Sequence, residues 1–351
     1  MERQRELLRL HRELDLLSRN AGDAEFLSGW QTSHPFAEHY LLRVQDGSPR
    51  SVEEYSFLSD SAALTESIRK FHRTRDGIDY PPEAVYAASG SSPLLMAFFL
   101  RLREQGVSEA WYVPPIYYTC YYFAQSVGIT LHRLDTSPLH HPETRLRLPQ
   151  RPAVLIFADP IWVFGTPVHP VHIKEIAEWQ RRFGSEVLVD GTFQYTAWNP
   201  PDQAEATSEL DLEHTFRIVC PTKSTAVHGS RFAYLLMPPG QRESIRYPAA
   251  NLTGASGAQA QSDALRLMEV LNSPQSNREL REHIATVHGI LWDKGVIRAE
   301  AAPPSVTYYT FAHIDERRAR SAILMDQRFF DLTGFNGFAR INLLHPSWLE
   351  L

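Results

Sequence analysis

Phe216-Arg217-Ile218-Val219-Cys220-Pro221-Thr222-Lys223-Ser224-Thr225-Ala226-Val227-His228-Gly229-Ser230-Arg231-Phe232-Ala233-Tyr234-Leu235-Leu236-Met237 reads as two apolar runs joined by a loop of small residues. Phe216–Val219 and Phe232–Met237 have the length and composition of buried strands. One lysine, Lys223, stands in the loop, and Arg231 lies eight positions on, just past a glycine. A lysine held among apolar neighbours loses proton affinity, because burial disfavours the charged form. Lys223 is therefore a candidate amine nucleophile, able to form a Schiff base with an aldehyde. A surface lysine on a strand-to-strand turn is the plainer alternative. The loop alone does not separate the two.

The rest of the chain narrows the choice. It has 351 residues, 43% hydrophobic and 22% charged, enough for a sizeable core. The net charge of −6, with no basic tract or zinc-finger spacing, argues against a nucleic-acid partner. Cys120 and Cys220 are the only cysteines, which is no disulfide framework. The charged start Met1-Glu2-Arg3-Gln4-Arg5-Glu6 is unlike a signal peptide, and no apolar stretch approaches a membrane span. The expectation is a cytoplasmic protein. The 15 histidines do not stand at metal-ligand spacing with Cys or carboxylate partners, so no protein-bound metal is expected.

Residues 2–19 alternate charge with leucine and predict an amphipathic helix that packs on the body or on a partner subunit. A second such helix is centred on 64–72. From residue 83 the pattern is strand, loop, helix. Strands are predicted at 84–88, 110–113, 129–134, 153–158 and 186–189, with helices at 94–102, after Pro115, and at 172–183. Nearly continuous apolar strands alternating with helices mean an α/β fold whose mostly parallel, doubly wound sheet is covered on both faces. The C-terminal part, with helices at 258–271, 277–292 and 315–327 and strands at 306–312 and 339–343, predicts a small α/β domain. The expected division is an arm at 1–50, a large domain at 51–260 and a small domain at 261–351. In such sheets, chemistry lies beyond the carboxyl ends of the strands. Ser89-Gly90-Ser91, Asp159-Pro160, Asp190 and Lys223 all fall there, and the small hydroxyl residues before a helix make a plausible phosphate cradle.

In this order, the motifs resemble those of the fold type I pyridoxal-phosphate enzymes, the aminotransferase class I/II group, over roughly residues 55 to 345. The resemblance implies pyridoxal 5′-phosphate as cofactor. It implies that Lys223 holds it as an internal aldimine, and that Arg231 and the N–H groups of Ser89, Gly90 and Ser91 hold its phosphate. Asp190 would face the pyridine nitrogen and keep the ring protonated. Tyr117, in Pro115-Ile116-Tyr117 with Gly128 beyond, would stack on the ring. Arg340, in Ala339-Arg340-Ile341-Asn342, would bind the substrate α-carboxylate. Tyr55 stands where a tyrosine reaches the other subunit's phosphate. Trp30, with Gly29, Gln31 and Phe36, is a candidate for the substrate's side-chain pocket. The implied function is transamination of an α-amino acid with a keto acid, in a homodimer with a shared site.

Three positions depart from the family pattern. Trp162 stands where an asparagine is usual, and Phe193 where a tyrosine is usual. Both of the usual groups hydrogen-bond the cofactor's phenolic oxygen, and Gln194 and Tyr195 are the nearby candidates to replace them. Cys220 stands where a phosphate-binding serine is frequent. These departures keep two further readings open. One is a lyase, cyclase or oxidase on the same cofactor. The other is a non-catalytic ligand sensor on the same scaffold.

Overall fold

The computed structural model describes residues 2–20, 24–42, 57–134, 136, 138–199, 205–273 and 277–350. Helices α1 (Glu2–Arg19), α2 (Ala37–Leu42) and α3 (Ala62–Arg75) precede β1 (Val85–Ala88). Then come α4 (Ser91–Glu104), β2 (Glu109–Tyr112), α5 (Tyr118–Ser126), β3 (Thr130–Arg133), β4 (Val154–Ala158), α6 (Pro170–Phe183), β5 (Glu186–Gly191) and β6 (Thr215–Val219). A one-turn α7 (Pro221–Ser224) leads to β7 (Ala233–Leu236). The remainder is α8 (Arg242–Thr253), α9 (Ala258–Asn272), α10 (Arg278–Asp293), β8 (Ile297–Glu300), β9 (Tyr309–Ile314), α11 (Glu316–Ser321), β10 (Met325–Asp326) and β11 (Ala339–Asn342).

The larger sheet has seven strands in the order β1-β7-β6-β5-β4-β2-β3. Strands β2 to β6 run parallel to their neighbours. Only β7 is reversed, against both β1 and β6. The cause is the length of the connection. A parallel return needs a crossover, usually a full helix, and residues 220–232 supply only one helical turn. The lysine loop is thus the turn of an antiparallel pair, and Lys223 sits at the carboxyl end of β6. All residues of β1, β4, β6 and β7 are buried, as a sheet covered on both faces requires. Leu94 and Phe98 of α4 pack with Phe216 and Ile218 on one face. Leu64, Ile68 and Phe71 of α3 meet Leu267 of α9 and Val219 on the other.

The smaller sheet is antiparallel, in the order β10-β11-β9-β8. The expected long helix at 315–327 is cut to α11. The apolar residues after it pair as β10 with β11, Met325 opposite Arg340. Helix α2, in a stretch read as irregular, was not foreseen, nor were α8 and β8. Helix α8 contains Pro248, yet Ile245 and Ala249 are buried with the residues of α4. Strand β8 is short and charged, and it exists because β9 offers it a ladder. Helix α1 buries Leu7 and Leu8 against the large sheet's helices and Leu14 in the core shared with the small sheet.

Behind the sheet lies a buried polar cluster. Arg217 of β6 donates to Asp76 Oδ2 at 2.7 Å, and Tyr195 Oη donates to the same oxygen at 2.8 Å. Burial opposes ionisation of Asp76, but the Arg217 guanidinium and His72 together hold its carboxyl well below the usual carboxylate range. Arg217→Leu would leave that carboxylate buried without its counter-charge. We expect a loss of roughly 3–5 kcal/mol of folding stability, read as a lower denaturant midpoint at unchanged slope.

Burial also lowers the pKa of His11, His34, His72 and His140 to about 4, and that of His228 to about 3. Each ring is neutral when folded and takes a proton on unfolding below about pH 6.5. Such groups stabilise the fold above the unfolded pKa, and that stability is lost as pH falls toward the folded pKa. Asp159, raised to about 6 by burial, Glu205, raised to about 8, and Asp190 act in the opposite sense. Five imidazoles outnumber three carboxyls. The melting temperature should therefore fall as pH drops from about 6.5 to about 4, measured by circular dichroism. A flat or rising profile in that window would contradict the assignment.

Candidate active site

The carboxyl edge of the large sheet brings together most of the residues singled out from sequence. Asp190 is the penultimate residue of β5, with Ala158 of β4 and Ile218 of β6 as its register neighbours. It is 2% exposed and accepts a hydrogen bond at Oδ1 from Thr192 N at 3.3 Å. Burial raises its pKa, opposed by the Thr192 bonds and by the charge of Lys223. Tyr117 begins the turn into α5, and its phenol is pushed up to about 12, mainly by burial, with the Asp190 charge contributing.

Lys223 lies on α7, whose first residue is a proline and whose turn closes through Lys223 N to Cys220 O at 2.8 Å. Desolvation lowers its amine to about 8. The Cys220 and Asp190 charges push it up, and those of Arg340 and Arg231 push it down. The Nζ atom lies 5.6 Å from the centre of the Phe193 ring and 2.9 Å from His228 Nδ1. Cys220 turns inward, donating from Sγ to Phe232 O and lying 3.1 Å from Thr222 Oγ1.

Ser89-Gly90-Ser91 forms the entrance to α4. Gly90 has φ +110° and ψ 171°, and a Cβ there would fall 2.6 Å from Arg231 Nη2. The guanidinium of the exposed Arg231 therefore stands over bare backbone that only glycine leaves open. Ser89 Oγ is 3.3 Å from Ser256 Oγ.

Arg340, on β11 and 5% exposed, reaches the same edge from the small sheet. Its Nε donates to Ser28 O at 3.0 Å. Its guanidinium carbon lies 4.5 Å from the centre of the Tyr309 ring, 5.2 Å from Trp162 and 5.4 Å from Phe330. The N-terminal arm closes this side: Ser28 O holds Arg340, and Thr32 Oγ1 donates to Ala226 O of the lysine loop. Trp30, on the same segment, turns outward, 48% exposed and edge-on to Phe26. Tyr55 lies outside the described residues.

Trp162 and Phe193 are both buried and stacked, with centroids 6.2 Å apart at 24°. The expected substitutes do not replace the missing polar groups. Gln194 donates to Thr207 Oγ1 at 2.6 Å, and Tyr195, at φ 62°, turns its hydroxyl to Asp76 in the cluster behind the sheet. Instead, two residues not singled out from sequence stand beside the lysine: His228, and Tyr308, whose Oη is 2.8 Å from His228 Nε2. A histidine five places after the lysine and the tyrosine pair at 308–309 were the visible signals.

Among the described residues, no helix is long and apolar enough to cross a membrane. No curated protein matches the chain by sequence. Solved structures do match it in fold. An N-succinyldiaminopimelate aminotransferase from Mycobacterium tuberculosis superposes with a TM-score of 0.78 at 18% identity, covering 97% of this chain and 94% of that one. An aspartate aminotransferase from Rhizobium meliloti gives 0.78 at 15% identity, covering 98% and 93%. An Escherichia coli protein, described as having a methionine aminotransferase function, gives 0.75 at 16% identity, covering 96% and 93%. The sequence pattern described as aminotransferase class I and II matches residues 26–343. With a match spanning nearly the whole chain, laid over a sheet that gathers a lysine, an aspartate and an arginine-capped glycine turn at one edge, this protein belongs to the aminotransferase class I and II family of pyridoxal-phosphate-dependent enzymes.

Proposed function

We propose that this enzyme transaminates an α-amino acid, with Lys223 as the amine that holds pyridoxal phosphate covalently. The observation that carries the reading is the low proton affinity of Lys223, about 8, at a sheet edge shared with Asp190. An amine must be neutral to attack a carbonyl, and burial brings Lys223 near that state. The residues present fit the cofactor. Gly90 leaves a concave backbone under Arg231, suited to a phosphate, and burial has pushed the Asp190 carboxyl up in a way that a cationic ring N–H beside it would reverse. When bound, pyridoxal phosphate supplies the electron sink that makes the α C–H bond of an attached amino acid acidic.

The chain's own residues do the rest. Arg340 would bind the substrate carboxylate through the part of its guanidinium beyond Nε and Nη2, which donate to Ser28 O, with Nη2 also against Met325 Sδ, and the three rings around it would exclude water. Tyr117 would support one face of the cofactor's ring. Lys223 would serve as the acid–base group, taking the substrate's α proton on Nζ and giving it back. Ser89, Gly90, Ser91 and Arg231 would anchor the cofactor's phosphate, and in a homodimer Tyr55 of the second subunit would join them. The arm at 1–50 serves the substrate entrance, with Trp30 at its rim, beside a large domain at 51–260 and a small one at 261–351.

The test is to incubate purified, cofactor-supplemented enzyme with a panel of amino acids, with and without a keto-acid acceptor. Keto-acid formation that depends on the acceptor supports transamination. Product formed without acceptor, with release of ammonia or peroxide, rejects it.

A further inference from the structure

We infer that His228, held by Tyr308, is a catalytic residue that fixes the Lys223 amine and stabilises its protonated form during proton transfer. The inference rests on the reading of Lys223 as the cofactor-bearing amine. Two contacts carry it: Lys223 Nζ lies 2.9 Å from His228 Nδ1, and His228 Nε2 lies 2.8 Å from Tyr308 Oη. The three residues come from different places. Lys223 is on α7, His228 is in the loop toward β7, and Tyr308 precedes β9 of the small sheet. Tyr308 is 1% exposed and is fixed edge-on to Phe193 at 5.4 Å.

The protonation follows from the donor inventory. A neutral imidazole has one donor nitrogen and one acceptor. Burial keeps His228 neutral, with Lys223, Arg231 and His34 adding to the effect. When Lys223 is an ammonium it must donate, so Nδ1 accepts and Nε2–H donates to Tyr308 Oη. The ammonium thereby selects the tautomer, and the phenol, able to accept, satisfies Nε2–H. A hydrogen bond to the charged form of a group favours that form. His228 thus supports the ammonium that Lys223 becomes on taking the substrate proton. When Lys223 is neutral, the same two contacts can reverse, Nδ1–H donating to Nζ and Tyr308 O–H donating to Nε2.

This arrangement also answers the departures in sequence. Trp162 and Phe193 put an apolar stack where polar side chains are usual, and Gln194 and Tyr195 turn elsewhere. The polar contact in this chain is made to the amine instead. The charged and titratable groups that face the pair are Cys220 and Arg231 from the lysine loop, Asp190 from β5, His34 from the arm, and Arg340 from β11.

The test reads the amine directly. The full-length apo-protein is pulse-labelled with acetic anhydride across pH, and modification of the Lys223 peptide is followed by mass spectrometry. In the parent protein the midpoint should lie near 8. In His228→Ala it should fall by about one pH unit, because one hydrogen bond to a charged group is lost. His228→Asn, which keeps an acceptor at the Nδ1 position, should stay near the parent value. Tyr308→Phe should shift in the same direction as His228→Ala, by less. An unchanged midpoint in folded His228→Ala overturns the inference. If that variant does not fold, an unchanged midpoint in Tyr308→Phe overturns it. Failure of the underlying reading looks different: the parent protein would show no cofactor absorbance that borohydride abolishes.

Discussion

Lys223→Ala is expected to lower transamination by at least about a thousand-fold, because on the proposed reading it removes both the covalent anchor and the proton carrier. General acid–base catalysis alone accounts for about 10²–10⁴, and the loss of the nucleophile adds to it. The variant should fold normally. The lysine is desolvated, its pKa is depressed, and its amine makes one hydrogen bond to His228. The sign can be worked out. A lysine whose folded pKa is lowered to about 8 carries fewer protons than in the unfolded chain between that value and about 10.5, so its burial costs stability below pH 8 and the cost fades as pH rises through that window. Removing the charge should leave the melting temperature at pH 7 unchanged or higher. Lost activity with a lowered melting temperature would mean that Lys223 is structural.

Asp190→Ala should lower turnover by about 10²–10³, the usual loss when one preorganised electrostatic group is deleted from a buried site. Capture of the cofactor by Lys223 should survive. The carboxyl is fully buried at the end of β5 and its proton affinity is raised by desolvation, so it costs folding energy and is available to a cation. Its removal should therefore not lower the melting temperature. The measurements are kcat and KM beside a borohydride-fixed label on the Lys223 peptide. A loss of less than tenfold would contradict its assigned place at the ring nitrogen.

The placement of both residues at the sheet edge was legible in the sequence for the same reason. Each follows a short apolar run whose burial can be read from composition, so its position at a strand end is dictated by the strand. Ser89-Gly90-Ser91 and Arg231 were legible likewise, one after β1 and the other just ahead of β7. The reversal of β7 was less so, since it depends on how the connection at 220–232 folds, into a single helical turn, rather than on the strand itself. The fate of Gln194 and Tyr195 was also hidden. A turn closed by Gln194 N to Gly191 O, with Tyr195 at positive φ, sends their side chains away from the lysine. The pair of contacts from Lys223 through His228 to Tyr308 joins residues 80 positions apart in its second step. No local pattern encodes such a contact, because it forms only when the small sheet packs on the lysine loop. The helix α8, with its internal Pro248, failed for a related reason: packing on α4 overrides propensity.

The chain has four lysines, Lys70, Lys174, Lys223 and Lys294. That makes one measurement decisive for the central claim. Cofactor-supplemented protein is reduced with borohydride, digested and mapped by mass spectrometry. The account predicts a reduced pyridoxyl-phosphate group on the Lys223 peptide, in near-stoichiometric amount, and none on the other three. A label on a different lysine, or no label at all, would contradict it.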